Sequence, residues 1–337
     1  MAGVRVRWTA KDIPSQAGKR IVVTGATSGI GWNTALELAR AGAEVIIPAR
    51  TQAKADDAAA RIRADVPAAE LRTAIMDLAS LASVRALAEN ALTDPRPIDT
   101  LVNNAGVMAI PQRILSVDGF EMQFATNVLG HFLLMGLLLP ALLRASAPRI
   151  VTVSSYAHTG GGPIPLTDLN SAERYSPVKA YCKTKLANVL VARELQRRAG
   201  SRLLSASCHP GYARTNLQFH GETFGMQIAA ALLLPFSQTS AKGAEPTLFA
   251  ATSPDAKPGS YYGPGGLLGL RGPVKELRMA PFAYDDASAR RLFDELEDLA
   301  RVKFDFGGFA QPREAEAGEL ALVMHDGREN RRPPIRE

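Results

Sequence analysis

Short apolar runs rich in β-branched residues alternate along this chain with longer stretches whose apolar positions recur every three to four residues. The first kind reads as buried strands, the second as amphipathic helices. "RIVVTG" (20–25) opens the series, followed by the helical "IGWNTALELARAG" ending at Gly42. "AEVIIPA" is the second strand and "TQAKADDAAARIRA" the second helix. "LRTAIMD" (71–77) and "DTLVNNAG" (99–106) flank the helical "SLASVRALAENAL". A longer helix is expected over about 118–145, then the strand "RIVTVSS" (149–155). A helix around Tyr181 leads to the strand "RLLSASCHPG" (202–211). Later come helical stretches at 225–234 and 239–252, a final strand within "KPGSYYGPGGLLGLRGP", and a helix at 285–302.

Strand, helix, strand in this rhythm implies right-handed βαβ units. The expected fold is α/β, a doubly wound, mostly parallel seven-stranded sheet with helices on both faces. No linker-like segment interrupts residues 20–306, so they form a single domain preceded by an arm at 1–19. Residues 307–337, rich in Glu, Arg, Pro and Gly without apolar periodicity, are expected to be a flexible tail.

Composition narrows the function class. At 46% hydrophobic and 21% charged, the 337 residues are ordinary for a globular protein. The net charge of +6 is scattered beside acids, as in "RELQRR", which argues for solvated helix faces rather than nucleic-acid binding. Two cysteines, Cys182 and Cys208, form no CxxC, and no His cluster has metal-ligand spacing. That fits a reducing compartment and no metal. No apolar run precedes the first strand, and "HFLLMGLLLPALL" and "MQIAAALLLPF" are shorter than a bilayer requires. A cytoplasmic protein without a membrane span is expected.

Candidate chemistry begins at "TGATSGIG" (24–31), where the first strand passes into the first helix. Gly25, Gly29 and Gly31 allow a tight turn, and the helix N-terminus offers N–H groups to a pyrophosphate. Farther on, Tyr181 and Lys185 are four residues apart and project from one helix face. A phenol of pKa about 10 becomes a useful acid or base when a nearby cation stabilises its anion.

"TGATSGIG", "NNAG" (103–106), "YCKTK" (181–185) and "HPGYART" (209–215) together resemble the short-chain dehydrogenase/reductase family. "FATNVLGHFLL" and "VSSYAH" are similar to its retinol-dehydrogenase-like branch. The resemblance covers about residues 20–265 and implies a Rossmann-type sheet, a nicotinamide cofactor and alcohol/carbonyl hydride transfer. It implies Asn127, Ser155, Tyr181 and Lys185 as catalytic residues. Strand alternation sends Ser154 and Ser155 to opposite faces, so only one can serve, and the resemblance favours Ser155. The cofactor-binding set it implies is Gly25, Thr27, Ser28, Gly29, Ile30, Gly31, Asp77, Leu78, Asn104, Ala105, Gly106, Tyr181, Lys185, Pro210, Gly211 and Thr215.

The second strand ends in "VIIPAR" with no acid, so Arg50 is expected to hold a 2′-phosphate and NADP(H) to be preferred over NAD(H). Pro48 is unusual inside a strand and bears on where Arg50 points. Asp77 has a second reading as a helix N-cap, although Ser80 caps equally well. Cys182 is expected to pack, and His158 and His209 lie near the cleft without any triad. The apolar helices at about 216–252 are expected to wall a pocket for a lipophilic carbonyl or alcohol substrate. In the family, helices like 118–145 and 176–199 often pair between subunits, which leaves a homodimer or homotetramer open, while the long stretch between Ser155 and Tyr181 alters that surface; the sequence does not fix the oligomeric state. The competing readings are a tailoring enzyme acting on another bond and an NADPH-binding sensor without turnover.

Overall fold

The computed structural model describes residues 7–212, 237–266 and 269–307. Seven parallel strands are β1 (Arg20–Val23), β2 (Glu44–Ala49), β3 (Leu71–Ile75), β4 (Thr100–Asn103), β5 (Arg149–Val153), β6 (Leu204–Cys208) and β7 (Tyr261–Pro264). An eighth, β8 (Val274–Glu276), pairs antiparallel with β7, so the sheet order is β3-β2-β1-β4-β5-β6-β7-β8. Among the described residues the expected count of seven is therefore corrected to eight. β8 is three residues long, and its Lys275 and Glu276 are exposed, so it carries no apolar run to announce it. Charged residues suit an edge strand, since they discourage further pairing.

The helices are α1 (Gly29–Arg40), α2 (Gln52–Asp65), α3 (Leu81–Leu92), α4 (Met122–Leu142), α5 (Pro177–Ala199), α6 (Ser240–Thr252) and α7 (Asp286–Ala300). On one sheet face, α1 packs on α6 over a core that includes Val23, Val102, Val151, Ala206 and Leu248. Trp8 of the N-terminal arm closes this side edge-to-face against Phe249, 5.3 Å between centroids. On the other face, α4 and α5 lie over the central strands and α7 packs against both. Phe132 of α4 meets Phe293 of α7 at 4.8 Å and Phe304 at 4.9 Å, while the Arg198 guanidinium of α5 lies 4.1 Å over Phe293.

By length and composition α4 is apolar enough to cross a membrane, longer than the apolar run read from sequence, yet 83% of its most apolar window is buried inside the protein. It is a core helix. Its first part departs from α geometry: Ala125–Leu129 is a π turn, with the Gly130 N–H bonded to the Ala125 carbonyl. Such turns redirect side chains and free backbone groups.

Pro48 is accommodated by strand alternation. The Glu44 N–H bonds Lys19 on the β1 side and the Val45 N–H bonds Glu70 on the β3 side. Alternation turns the Pro48 nitrogen toward β1, past the end of that ladder at Val22↔Ile46. The β1–β2 ladder stops short of Pro48, which has no N–H to extend it. Of the expected elements, the helical stretch at 225–234 and the tail from 308 onward lie outside the described residues.

Candidate active site

Because β1 lies between β2 and β4, the chain winds outward in both directions from it, and the turns after β1 and β4 part to leave a crevice. Every described candidate residue lies at the carboxyl ends of these strands or on the helix faces above them.

The glycine turn leaves β1 at Thr24. Gly25 has φ +68°, and a Cβ there would lie 2.8 Å from the Ala105 backbone. A Cβ on Gly31 would strike the Asn104 amide and the Gly25 carbonyl. Both positions therefore exclude a side chain, for different reasons. Thr24 sits at the centre: its Oγ1 accepts the Asn104 and Ala105 backbone N–H groups at 2.9 and 3.0 Å, and Asn104 Nδ2 donates to its carbonyl at 2.8 Å. Ser28, at the N-cap of α1, makes no side-chain cap bond, leaving the first N–H groups of that helix open to an anion. Thr27 and Ile30 belong to the same turn and helix start, and the Thr27 carbonyl accepts from Arg61 at 2.5 Å. The arrangement fits a dinucleotide pyrophosphate.

Arg50 is exposed just past β2, with no carboxylate paired to it among the described residues. Asp77 follows β3, its carboxylate accepting the Ala79 N–H at 3.0 Å; Ser80, not Asp77, caps α3. The buried Leu78 presents its carbonyl to Gly130 of α4, where no Cβ would fit. Pro210 and Gly211 follow β6; the Pro210 carbonyl accepts from Gln238 at 2.6 Å, and Gly211 has φ +68°. Thr215 lies outside the described residues, as does most of the expected pocket wall.

Asn127 occupies the π turn, fully buried. Its amide grips both backbone groups of Val107, accepting the N–H at 2.8 Å and donating to the carbonyl at 2.9 Å, and it donates to Thr184 of α5 at 3.1 Å. It thereby ties the loop after β4 to α5. A Cβ on Gly106 would lie 3.2 Å from Asn127 Oδ1 and 3.6 Å from Lys185 Nζ, so these three residues converge.

Ser154 and Ser155 diverge as alternation requires. Ser154 is buried and donates to the Lys185 carbonyl at 2.7 Å. Ser155 caps a 3-10 turn by accepting the Ala157 N–H, and its hydroxyl lies near enough to the Tyr181 phenol to favour the phenolate. The Lys185 ammonium lies 5.6 Å over the Tyr181 ring and donates to the Val153 carbonyl at 3.1 Å.

Burial governs both titrations. It pushes the Tyr181 phenol up to about 12, with the Ser155 side chain opposing. It pulls Lys185 down to about 8, with the Cys208 side chain opposing. The sequence-based expectation is that Lys185 together with the ring of an oxidised nicotinamide lowers the Tyr181 pKa; in the chain by itself, desolvation of the anion is the largest influence and the direction is upward.

Two histidines have structural work. His158 is buried, with Nδ1 2.8 Å from the Ser155 carbonyl and Nε2 accepting the Ala280 N–H at 3.0 Å. Tyr261 donates to the same Ser155 carbonyl at 3.3 Å and stacks on His209, 5.4 Å between centroids. Ser155 is thereby held from behind by residues of β7 and the segment after β8. Cys182 and Cys208 are buried free thiols.

A glycine turn and a Ser–Tyr–Lys cluster on one sheet edge accord with the match of residues 19–221 to the short chain dehydrogenase family. The chain belongs to that family. It is 40% identical to retinol dehydrogenase 14 of Mus musculus over 301 residues, covering 85% of this chain and 86% of that protein. It is 41% identical to retinol dehydrogenase 13 of Homo sapiens, covering 88% and 89%. Among solved structures, an uncharacterized protein of Mycobacterium paratuberculosis is 40% identical with a TM-score of 0.74, covering 89% of this chain and 99% of that one. A protein from Beutenbergia cavernae solved with bound NADP is 30% identical with a TM-score of 0.60, covering 73% and 95%. As a short-chain dehydrogenase related to retinol dehydrogenases, this chain is an oxidoreductase.

Thr24, His131, Thr184 and Tyr261 were not among the sequence-derived candidates. Thr24, His131 and Thr184 lie within the motifs quoted for the resemblance, whereas nothing in the sequence around Tyr261 signals its contact with Ser155.

Proposed function

We propose that this chain is an NADP(H)-dependent oxidoreductase acting on an alcohol or carbonyl group of a lipophilic small molecule, with Tyr181 as general acid/base. The observation that carries the reading is the convergence of Asn127, Ser155, Tyr181 and Lys185 beside the glycine turn. A bound nicotinamide dinucleotide supplies or accepts the hydride; the chain's own residues manage the proton. A phenol raised to about 12 is protonated throughout the neutral range, the form required to deliver a proton to a carbonyl oxygen during reduction. Ser155 polarises the substrate oxygen from the other side. Lys185, charged below about pH 8, stabilises the phenolate left behind. Asn127 fixes the loop after β4 so that Gly106 and Lys185 keep their spacing.

The NADP(H) preference rests on the exposed Arg50, which no carboxylate pairs among the described residues, since guanidinium pairs bidentately with phosphate. The lipophilic class rests on the retinol dehydrogenase relatives and on the apolar "FGMQIAAALLLPF"; retinoids themselves are not carried over. Two free, buried cysteines suit a cytoplasmic setting.

The test is NADPH oxidation with ketones and aldehydes of graded size and polarity. Turnover rising with substrate lipophilicity supports the reading; no oxidation of NADPH or NADH with any carbonyl contradicts it. Arg50→Asp is expected to weaken NADPH by about 1.5–3 kcal/mol, the range for a hydrogen bond to a charged group. NADH binding should be unchanged or improved. Equal weakening of both cofactors by calorimetric titration would remove Arg50 from the phosphate site.

A further inference from the structure

His131 is buried beside the site, on α4 one turn after Asn127. Its Nε2 lies 2.9 Å from Thr24 Oγ1, and its Nδ1 lies 3.3 Å from the Asn127 carbonyl oxygen. These two contacts determine where its proton resides.

A threonine hydroxyl accepts two hydrogen bonds and donates one. Both lone pairs of Thr24 Oγ1 are taken by the Asn104 and Ala105 N–H groups. Its one proton can go to the Val102 carbonyl at 3.3 Å or to His131 Nε2 at 2.9 Å. A protonated Nε2 would need a third lone pair on Thr24, so Nε2 must be the acceptor. At the other end, the Asn127 carbonyl can only accept, so Nδ1 must carry the hydrogen. The two ends require the same tautomer independently of each other. Burial reinforces this by pulling the imidazole down to about 3, which keeps it neutral. Asn188 of α5, with its amide nitrogen turned to the same carbonyl, adds a second donor at 2.9 Å.

We propose that His131 is a positioning residue whose neutral, Nδ1-protonated imidazole clamps Thr24 of the glycine turn to the Asn127 carbonyl in the π turn. Thr24 organises the cofactor side through Asn104 and Ala105, whereas Asn127 organises the proton-transfer side through Val107 and Thr184. The imidazole is a rigid strut between the two halves, so displacement of the π turn is transmitted to the glycine turn. The effect on turnover rests on the catalytic reading above; the tautomer and the effect on cofactor affinity do not.

The first test is nitrogen NMR of the full-length chain labelled at histidine, with the His131 signal identified by its loss in His131→Gln. A neutral Nδ1–H imidazole, unchanged from about pH 5.5 to about pH 9, is expected. An Nε2–H tautomer, or titration within that range, would overturn the proposal. The second test compares His131→Leu with His131→Gln, whose amide can accept from Thr24 and donate to Asn127. Leu is expected to weaken NADPH binding and lower kcat, each about tenfold, the scale of one net hydrogen bond. Gln should restore most of both. A packing residue would give the reverse order, with Leu near wild type and Gln impaired, and that result would refute the clamp. If Leu fails to fold, the Gln variant and the tautomer still decide. If the wild-type chain turns over no carbonyl, NADPH affinity and the tautomer separate failure of the clamp from failure of the catalytic reading.

Discussion

Ser154 and Ser155 differ by one position along β5's exit and end in unrelated roles. Ser154 anchors the α5 backbone, while Ser155 faces the Tyr181 phenol. Ser155→Ala is therefore expected to lower turnover about 10²-fold or more, as removal of a hydrogen bond to a developing oxyanion does. Ser154→Ala should instead lower stability by about 1 kcal/mol with turnover largely kept. Reversed effects on kcat would assign the strand face wrongly. Lys185 gives a pH signature. Its folded pKa of about 8 lies below the unfolded value near 10.5, so the unfolded chain binds more protons between those values. Stability from this group therefore rises with pH across that window, and the penalty for burying its charge is fully present below about pH 8. Lys185→Met should gain stability relative to wild type at pH 7 and lose that advantage by about pH 10. A difference in Tm that does not change with pH would contradict the shift. At this scale the sequence offered the candidate reacting groups but not their supports. Strand alternation and the four-residue Tyr–Lys spacing are local rules. The Tyr261–Ser155 and Thr24–His131 contacts join residues about a hundred positions apart, which no local pattern records.

The elements were legible where their periodicity was long. The central strands appear as continuous apolar runs because both sheet faces are covered, and α1 and α3 show their helical spacing. β8 did not appear, because a three-residue charged edge strand is defined by its partner rather than by its own residues. The π turn was likewise hidden, since "ATNVL" has no composition that separates it from ordinary helix. A further feature belongs to the strands collectively. Asn103, Thr152 and Ser207 stand at one register across β4, β5 and β6. Their buried side-chain polar atoms have no partner among the described residues. A buried unsatisfied hydroxyl costs about 1–3 kcal/mol, so the near-isosteric Thr152→Val is expected to stabilise by about 1 kcal/mol in urea unfolding. Destabilisation of that size would show that the hydroxyl is satisfied.

Across the whole molecule, the two edges of the sheet have separate duties. At the amino ends of the strands, Glu44 and Asp94 gather Arg20, Arg72 and Arg96 into an ion-pair network, with Glu44–Arg96 at 2.8 Å and Asp94–Arg20 at 3.3 Å. Three of the 39 basic residues are thus held by acids at this end of the sheet. The carboxyl ends hold the glycine turn, the Asn104–Gly106 segment, Ser155 and the Tyr181–Lys185 helix face. The order of the sheet explains why motifs scattered over nearly two hundred residues meet in one crevice. The βαβ rhythm made that convergence readable in advance; the mode of packing of α7 on α4 and α5 was not, because it depends on Phe132, Phe293 and Phe304 meeting across the fold. The central claim is that this crevice transfers a proton through Tyr181 while the glycine turn holds the cofactor. The most direct measurement is steady-state reduction of the best carbonyl substrate by Tyr181→Phe, paired with NADPH titration of the same variant. Removing the hydroxyl while keeping the ring is expected to lower kcat by about 10²–10⁴-fold and to leave NADPH affinity within about threefold of wild type. Wild-type turnover in Tyr181→Phe would contradict the account.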